Sequence, residues 1–384
     1  MTYHPTETKF FEFPDEALPF EMYRGGRLSE VTLSYETYGE LNEAKDNAVL
    51  VFHALTGSQH AMGWTDSVPG VSRWNETCKL GWWDRFVGPK KAVNTEKLFV
   101  ICVNYLGGCY GSTGPQAVNP DTDEQYGGSF PKMRIIDIVN SQLVLLDALG
   151  ITQLHGVTGA SVGGLASLVL AARYPERVKN VIPISSGLRT TPLQFLNNFE
   201  QVAAILNDPD FNGGDYYKGS PPDKGMALAR MIGHKTFVSL EAMADRAGGH
   251  VDETGGPEGY TITHPLESYI WRQGQSFLGR FDANSYVRLM GVWQHFDFLQ
   301  EVGAGSYQEA FERCTDQKYT VFSIDSDVCF YPPEQTNLMA ALKSAGVTSR
   351  RITVHSEKGH DSFLLEPELF KPFLVDALSA TLRR

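Results

Sequence analysis

The sequence predicts an α/β fold, with a mostly parallel central sheet interrupted late in the chain by an inserted helical lid. Three observations predict it. Short runs rich in β-branched and aromatic residues recur along the chain. Helix-period patterns separate them, and strand alternating with helix is the signature of a parallel sheet covered by helices. One long stretch, residues 188–305, breaks this rhythm with helical patterns and few strand candidates.

The elements follow in chain order. GRLSEVTLSYETYGE (26–40) alternates polar and apolar residues, which predicts antiparallel strands at the sheet edge. NAVLVFHA (47–54), LFVICVN (98–104), LHGVTG (154–159), NVIPIS (180–185), YTVFSI (319–324) and RRITVH (350–355) read as buried strands. They are nearly continuous apolar runs, as parallel strands covered on both faces require. MRIIDIVNSQLVLLDALG (133–150) and PPEQTNLMAALKSAG (332–346) read as helices. The domain organisation expected is a core formed by residues 1–187 and 306–384, with 188–305 as the lid. The Gly-rich GGHVDETGGPEGYTITHP (248–265) is expected to be an exposed loop of that lid. No internal repeat is evident.

Composition narrows the function. The 384 residues are 42% hydrophobic, enough for a large core, and carry a net charge of −12. Nucleic-acid backbones and anionic membranes attract basic surfaces, so neither is an expected partner. A local basic pocket for an anionic cosubstrate remains compatible with that charge. The five cysteines (Cys78, Cys102, Cys109, Cys314, Cys329) are odd in number and show no CxxC spacing. That argues against a disulfide framework or a zinc site and for a reducing, cytoplasmic setting. The N-terminal MTYHPTETKFFEFPDE lacks the apolar run of a signal peptide, and no stretch is apolar enough to span a bilayer. Neither HExxH nor paired metal-ligand spacing occurs.

GASVG (159–163), followed by Gly164, fits G-x-S-x-G. The pattern alone is common. Its setting between the strand LHGVT and the helix LASLVLAARYP is what a nucleophile elbow requires, with Ser161 on a sharp strand-to-helix turn. A plain phosphate-binding βα turn is the competing reading.

A serine hydroxyl needs a base, and the base needs an orienting acid. In this arrangement they follow in the order Ser, Asp, His. Asp327 comes after YTVFSI, and His360 after RRITVH, both just past strand ends. Asp327 is preferred because it lies farther out along its loop. Asp325, in the same turn, is the alternative, either as a turn residue or as the acid itself. His355 competes with His360 but stands at a strand end, as a core or rim histidine would. An acyl-transfer serine also needs an oxyanion hole. One donor is expected from the N–H after the nucleophile, Val162, and the second from Leu55 in HALTGS (53–58), the loop after an early strand.

Several segments together resemble the homoserine O-acetyltransferase family of α/β-hydrolase-fold enzymes, roughly over residues 30–365. They are HALTGSQH, GWWDRFVGPKKAVNTEKLFVICVNYLGGCYGSTGP, the elbow, RYPERV, GGDYY, ALARMIGHKTFVS, ESYIWRQGQSFLGRFDANSY and GHDSFLLE. The resemblance implies a ping-pong transfer. Ser161 takes an acyl group from acyl-CoA, and the hydroxyl of L-homoserine then removes it, giving an activated intermediate for methionine synthesis. It also implies that Arg230 binds the amino acid's carboxylate and Asp361 its ammonium. Tyr216 and Tyr217 would line the lid side of the cleft, and a homodimer would form through the lid helices. No permanently bound cofactor is implied, because acyl-CoA is a cosubstrate.

The chain departs from the family pattern at two points. The elbow reads GASVGG where the common form is GGSMGG. Val328, after Asp327, stands where acetyl-specific members often carry arginine and succinyl-transferring members tryptophan. Val328 is thus the candidate acyl-donor determinant. Acetyl-CoA is favoured as donor, with succinyl-CoA as the alternative, and L-serine is the alternative acceptor. A serine esterase or thioesterase is the reading from another class. Lys90 and Lys91 are candidates for CoA phosphates, or else belong to a solvated loop.

Overall fold

The computed structural model describes residues 5–253 and 255–379. The first four residues of the N-terminal stretch, residue 254 of the Gly-rich loop and residues 380–384 lie outside the described residues.

Eight strands form the central sheet: β1 (Lys9–Glu12), β2 (Thr32–Tyr38), β3 (Ala48–Phe52), β4 (Phe99–Val103), β5 (Leu154–Ala160), β6 (Val178–Ile184), β7 (Lys318–Ile324) and β8 (Thr348–Val354). Their spatial order is β1-β2-β4-β3-β5-β6-β7-β8. The six strands from β4 to β8 pair in parallel, and the β1–β2 and β2–β4 pairs are antiparallel.

The apolar strands are apolar on both faces because both are covered. Leu50, Phe52, Val157, Val181 and Val321 point into one layer, shared with α1 (Ile135–Ala148) and α2 (Val162–Arg173). Their neighbours Val49, Val51, Ile182, Ile184 and Phe322 point into the other, where Phe370, Leu374 and Leu378 of a C-terminal helix (Pro367–Ser379) meet them. Alternate side chains point to opposite faces, so a strand buried on both sides needs an unbroken apolar run.

Two edges differ from the sequence reading. β2 is antiparallel as expected, but the outermost strand is β1, whose KFFE is too short to stand out by pattern. Arg27 and Leu28 leave the main sheet and pair instead with Phe20 and Glu21. β8 is the opposite edge and is partly exposed along most of its length. Arg350 and Arg351 lie there, bonded to Thr320 Oγ1 at 3.1 Å and Ser323 Oγ at 2.8 Å. Charged side chains on an edge strand discourage pairing with other chains.

Between β6 and β7 lie α3 (Pro192–Leu206), α4 (Asp223–Phe237), α5 (Leu240–Ala247), α6 (Pro265–Gln275), α7 (Ala283–Gln294) and α8 (Phe298–Val302). α3 packs on α4 and α7, while α6 packs on α4 and α5. Thr191, Ser239 and Asp282 cap α3, α5 and α7 by accepting a backbone N–H of the first turn. No helix among the described residues is long and apolar enough to cross a membrane. All five cysteines are buried and free.

Because β3, β5, β7 and β8 run parallel, the loops after their C-terminal ends converge on one end of the sheet. Leu55, Ser161, Asp327 and His360 all lie on those loops. Strand ends of this kind are where α/β sheets place their ligands.

Candidate active site

β5 ends at Ala160 and α2 begins at Val162, so Ser161 alone makes the turn. Its φ of +59° and ψ of −127° are strained for a residue with a Cβ. Its N–H donates to Ile184 O at 3.0 Å, and Ser186 Oγ donates to its carbonyl at 2.8 Å. The surrounding glycines are there for close approach. A Cβ on Gly159 would lie 2.4 Å from the Gly163 backbone, one on Gly163 2.3 Å from Phe52 O, and one on Gly164 1.9 Å from Ser186 Oγ. Larger residues would push strand and helix apart and relax the turn that holds Ser161.

The structure resolves the two aspartates and two histidines into two pairs. Asp327 Oδ2 meets His360 Nδ1 at 2.7 Å, and both side chains are buried. Asp327 Oδ1 accepts the N–H groups of Cys329 at 2.8 Å and Phe330 at 2.9 Å. That fixes the carboxylate and turns its other oxygen toward the imidazole. Phe330 stacks on the His360 ring at 5.5 Å, and Phe363 meets it edge-on at 5.2 Å. Asp325 instead pairs with His355 at 2.8 Å, and the His355 side chain is 82% exposed.

The loop after β3 is held by its first residue. His53 Nδ1 lies 2.7 Å from Ala54 O, and Nε2 accepts the Tyr105 N–H at 3.3 Å. Those contacts fit a neutral ring with the proton on Nδ1, and burial lowers its pKa to about 4. The ring stacks on Tyr105 at 3.6 Å. Two residues on, Leu55 lines the cavity that Ser161 also lines. Among the described residues, neither the Leu55 nor the Val162 N–H donates to a main-chain carbonyl. Val162 is the first residue of α2, where N–H groups lack a partner within the helix.

One cavity gathers most of the expected residues: Ser161, His360, Leu55, Arg230 and Asp361 line it. Its core side comes from the loops after β3, β5 and β8. Its other side comes from Arg230 and Phe237 of α4, Tyr286 and Trp293 of α7, and Arg280 before α7. The Arg230 guanidinium lies over the rings of Phe277 at 4.9 Å and Phe237 at 5.4 Å. Burial, and then the charge of Arg280, hold its pKa below the ordinary arginine value. Burial raises the pKa of Asp361, opposed first by Arg230 and then by His360. Among the described residues, Arg230 and Asp361 form no ion pair, with each other or with any other residue. The cavity thus offers a cation and an anion that do not neutralise each other by direct contact.

Other expected residues lie elsewhere. Val328 is half-buried beside Asp327 and is not among the cavity-lining residues. Tyr216 and Tyr217 do not line the cavity either. Both donate to the Asp282 carboxylate, at 2.7 and 3.0 Å, because that buried N-cap needs partners. Lys90 and Lys91 sit with Lys97 near the start of β4, at the opposite end of the parallel strands from Ser161, and Lys91 pairs with Asp84 at 3.1 Å. Arg280, Tyr286 and Trp293 escaped the sequence reading as site residues. Their only signal was membership of the segment SFLGRFDANSY and its continuation, where arginine and aromatics also suit an ordinary amphipathic helix.

Residues 47–367 match the model of the alpha/beta hydrolase fold family. The homoserine O-acetyltransferase of Methanohalobium evestigatum is 42% identical over 378 residues, covering 98% of this chain and 74% of that protein. The crystal structure of homoserine O-acetyltransferase from Bacillus anthracis superposes with a TM-score of 0.84 at 23% identity, over 97% of this chain and 98% of that one. Esterase E22 superposes with a TM-score of 0.85 at 25% identity, over 97% and 100% of the two chains. The fold is therefore common to transferase and esterase, and the family rests on the 42% identity to the curated relative. On that identity, carried across nearly its whole length, the chain belongs to the homoserine O-acetyltransferase family, acyltransferases built on the α/β-hydrolase fold.

Proposed function

We propose that the protein transfers an acetyl group from acetyl-CoA to the side-chain hydroxyl of L-homoserine through an acyl-Ser161 intermediate. The observation that carries this reading is the cavity itself, where Ser161 and His360 share one space with Arg230 and Asp361, two opposite charges not joined in an ion pair. A serine esterase needs the first pair alone. A free amino acid, with a carboxylate and an ammonium on one carbon, suits the second.

In this reading His360, oriented by Asp327, takes the Ser161 proton as Oγ attacks the thioester carbonyl. The oxyanion rests on the Leu55 and Val162 N–H groups. The C–S bond breaks, the proton passes from His360 to the CoA sulfur, and acetyl-Ser161 remains. Homoserine enters with its carboxylate on Arg230 and its ammonium on Asp361. A planar guanidinium suits the two carboxylate oxygens. His360 now takes the homoserine hydroxyl proton, the hydroxyl oxygen attacks the acetyl carbonyl, and the ester bond to Ser161 breaks. Ser161 recovers its proton, and O-acetyl-L-homoserine leaves as an activated intermediate for methionine synthesis.

Residues 188–305 act as a lid that keeps water from the acyl-enzyme, which is what favours transfer over hydrolysis. The same segment makes the protein a homodimer: α3 exposes Leu193, Leu196, Phe199 and Leu206, a set of apolar side chains suited to a second copy. A cytoplasmic location agrees with five free cysteines.

The test is release of free CoA from acetyl-CoA or succinyl-CoA, each with homoserine, with serine and with no acceptor. Release that needs acetyl-CoA and homoserine together, and that is lost in Ser161→Ala, supports the reading. Preference for succinyl-CoA or serine moves the donor or acceptor and keeps the mechanism. Equal release without acceptor makes the protein a thioesterase.

A further inference from the structure

The cavity contains a second guanidinium that the reaction as written does not use. Arg280 lines it together with Arg230, and its charge acts on Arg230. Its main chain is fixed, since Tyr110 OH donates to the Arg280 carbonyl at 2.7 Å and packs edge-on against Phe281 at 5.6 Å. Its Nε is buried and has no hydrogen-bond partner among the described residues. On the same wall, Trp293 Nε1 is buried and equally without an acceptor. Arg280 also makes no ion pair within 4 Å among the described residues. Buried donors left without acceptors are rare, and at a cavity wall they point to an acceptor that arrives with a ligand.

The charges say which ligand. Two arginines and one carboxylate, Asp361, line the cavity. Two neighbouring guanidinium groups repel each other unless an anion lies between them. The phosphates of CoA lie a full pantetheine arm away from the thioester, and an acetyl group carries no charge. The acceptor's carboxylate is the anion that must enter this space in every turnover. We propose that Arg280 is a second binding residue for the acceptor's α-carboxylate, which it grips together with Arg230. This rests on the reading of Arg230 and Asp361 as the amino-acid site. It makes the carboxylate a principal specificity element, because two guanidinium groups in one cavity favour an anion.

The probe is 3-amino-1-propanol, which is homoserine without its carboxylate. Arg280→Met and wild type are compared for kcat/KM with both acceptors at saturating acetyl-CoA, and for the burst of CoA released without acceptor. The expected result is a loss of about 10- to 150-fold with homoserine, the weight of one charge-assisted hydrogen bond. The 3-amino-1-propanol rate and the burst should stay within about twofold of wild type, since neither involves the carboxylate. Equal losses with both acceptors, or a lost burst, overturn the proposal and make Arg280 a structural or donor-side residue. If Arg280→Met does not fold, Arg230→Met is read instead, with Arg280 intact. Retained preference for homoserine over 3-amino-1-propanol supports a second grip, and loss of all preference overturns it. A wild-type enzyme that acetylates no homoserine refutes the functional reading itself, a result separate from any of these.

Discussion

Asp327 holds His360 Nδ1 at 2.7 Å in the protein interior, while Asp325, two residues earlier, holds His355 at 2.8 Å at the surface. The same chemical pairing therefore occurs twice on adjacent loops, and only the inner one reaches the cavity lined by Ser161.

The two pairs are expected to differ sharply on substitution. Asp327→Asn cannot stabilise a His360 cation and should lower kcat by about 10³–10⁴ with the fold retained. Asp325→Asn should change kcat by less than about twofold, because exposed pairs contribute little. Steady-state rates with acetyl-CoA and homoserine compare them. A large loss in Asp325→Asn would reverse the assignment of the acid.

Gly164→Ala tests the elbow. The new methyl would lie 1.9 Å from Ser186 Oγ, whose bond to the Ser161 carbonyl helps hold the turn. Ser186 must rotate away, so the variant should lose stability by about 1–3 kcal/mol. Acylation should fall with it. Thermal unfolding and the CoA burst report the two effects, and removing the obstruction in Gly164→Ala/Ser186→Ala should recover part of the lost stability. No recovery in the double variant would mean that the crowding lies elsewhere.

Glu334 gives a pH dependence of stability. Burial first, and the Asp327 charge second, push its carboxyl up to about 8 from an ordinary 4.5. The folded state thus holds this proton more tightly than the unfolded state does. That contribution is complete below about 4.5 and is lost as pH rises through about 8. Glu334→Gln cannot ionise and keeps the volume. It should be more stable than wild type at pH 8.5 by about 4 kcal/mol, with the difference shrinking to about 1 kcal/mol at pH 5. Chemical denaturation at the two pH values measures it. An unchanged difference would show that Glu334 is already ionised in the folded protein.

The exposed face of α3 is tested by charge. Phe199 is 62% exposed and Leu196 59%, and Phe199 lines a groove with Val287 of α7. Leu196→Asp/Phe199→Asp should give a folded monomer by light scattering where the unaltered protein gives a dimer. A dimer in the variant would place the interface elsewhere, and a monomer in both would remove the homodimer from the functional reading.

Local pattern carried much of this protein into view. The unbroken apolar runs are strands because both faces of the sheet are covered, and the elbow was legible because its glycines meet steric demands within a few residues and against the adjoining strand. Chain order and strand ends single out Asp327 and His360, whose side chains meet at 2.7 Å. β8 reads as doubly covered by pattern but is an edge, since an edge and a centre can share one pattern when the outward residues are long and partly apolar. The resemblance puts Tyr216 and Tyr217 at the cleft, yet both bond the buried Asp282 and neither lines the cavity, a demand that nothing local reveals.

What the sequence determined by itself is therefore the alternation of strand and helix, the strained serine and the family to which both belong. Tertiary structure alone decided which aspartate meets which histidine, that Val328 does not line the cavity, and that Arg280 joins Arg230. The first group depends on periodicity and on sterics around a single turn, which neighbouring residues encode. The second depends on distances between groups 30 to 170 residues apart, such as the 33 separating the side chains of Asp327 and His360 and the 170 separating the Tyr110 hydroxyl from the Arg280 carbonyl. Those distances exist only once the loops converge over the ends of the parallel strands.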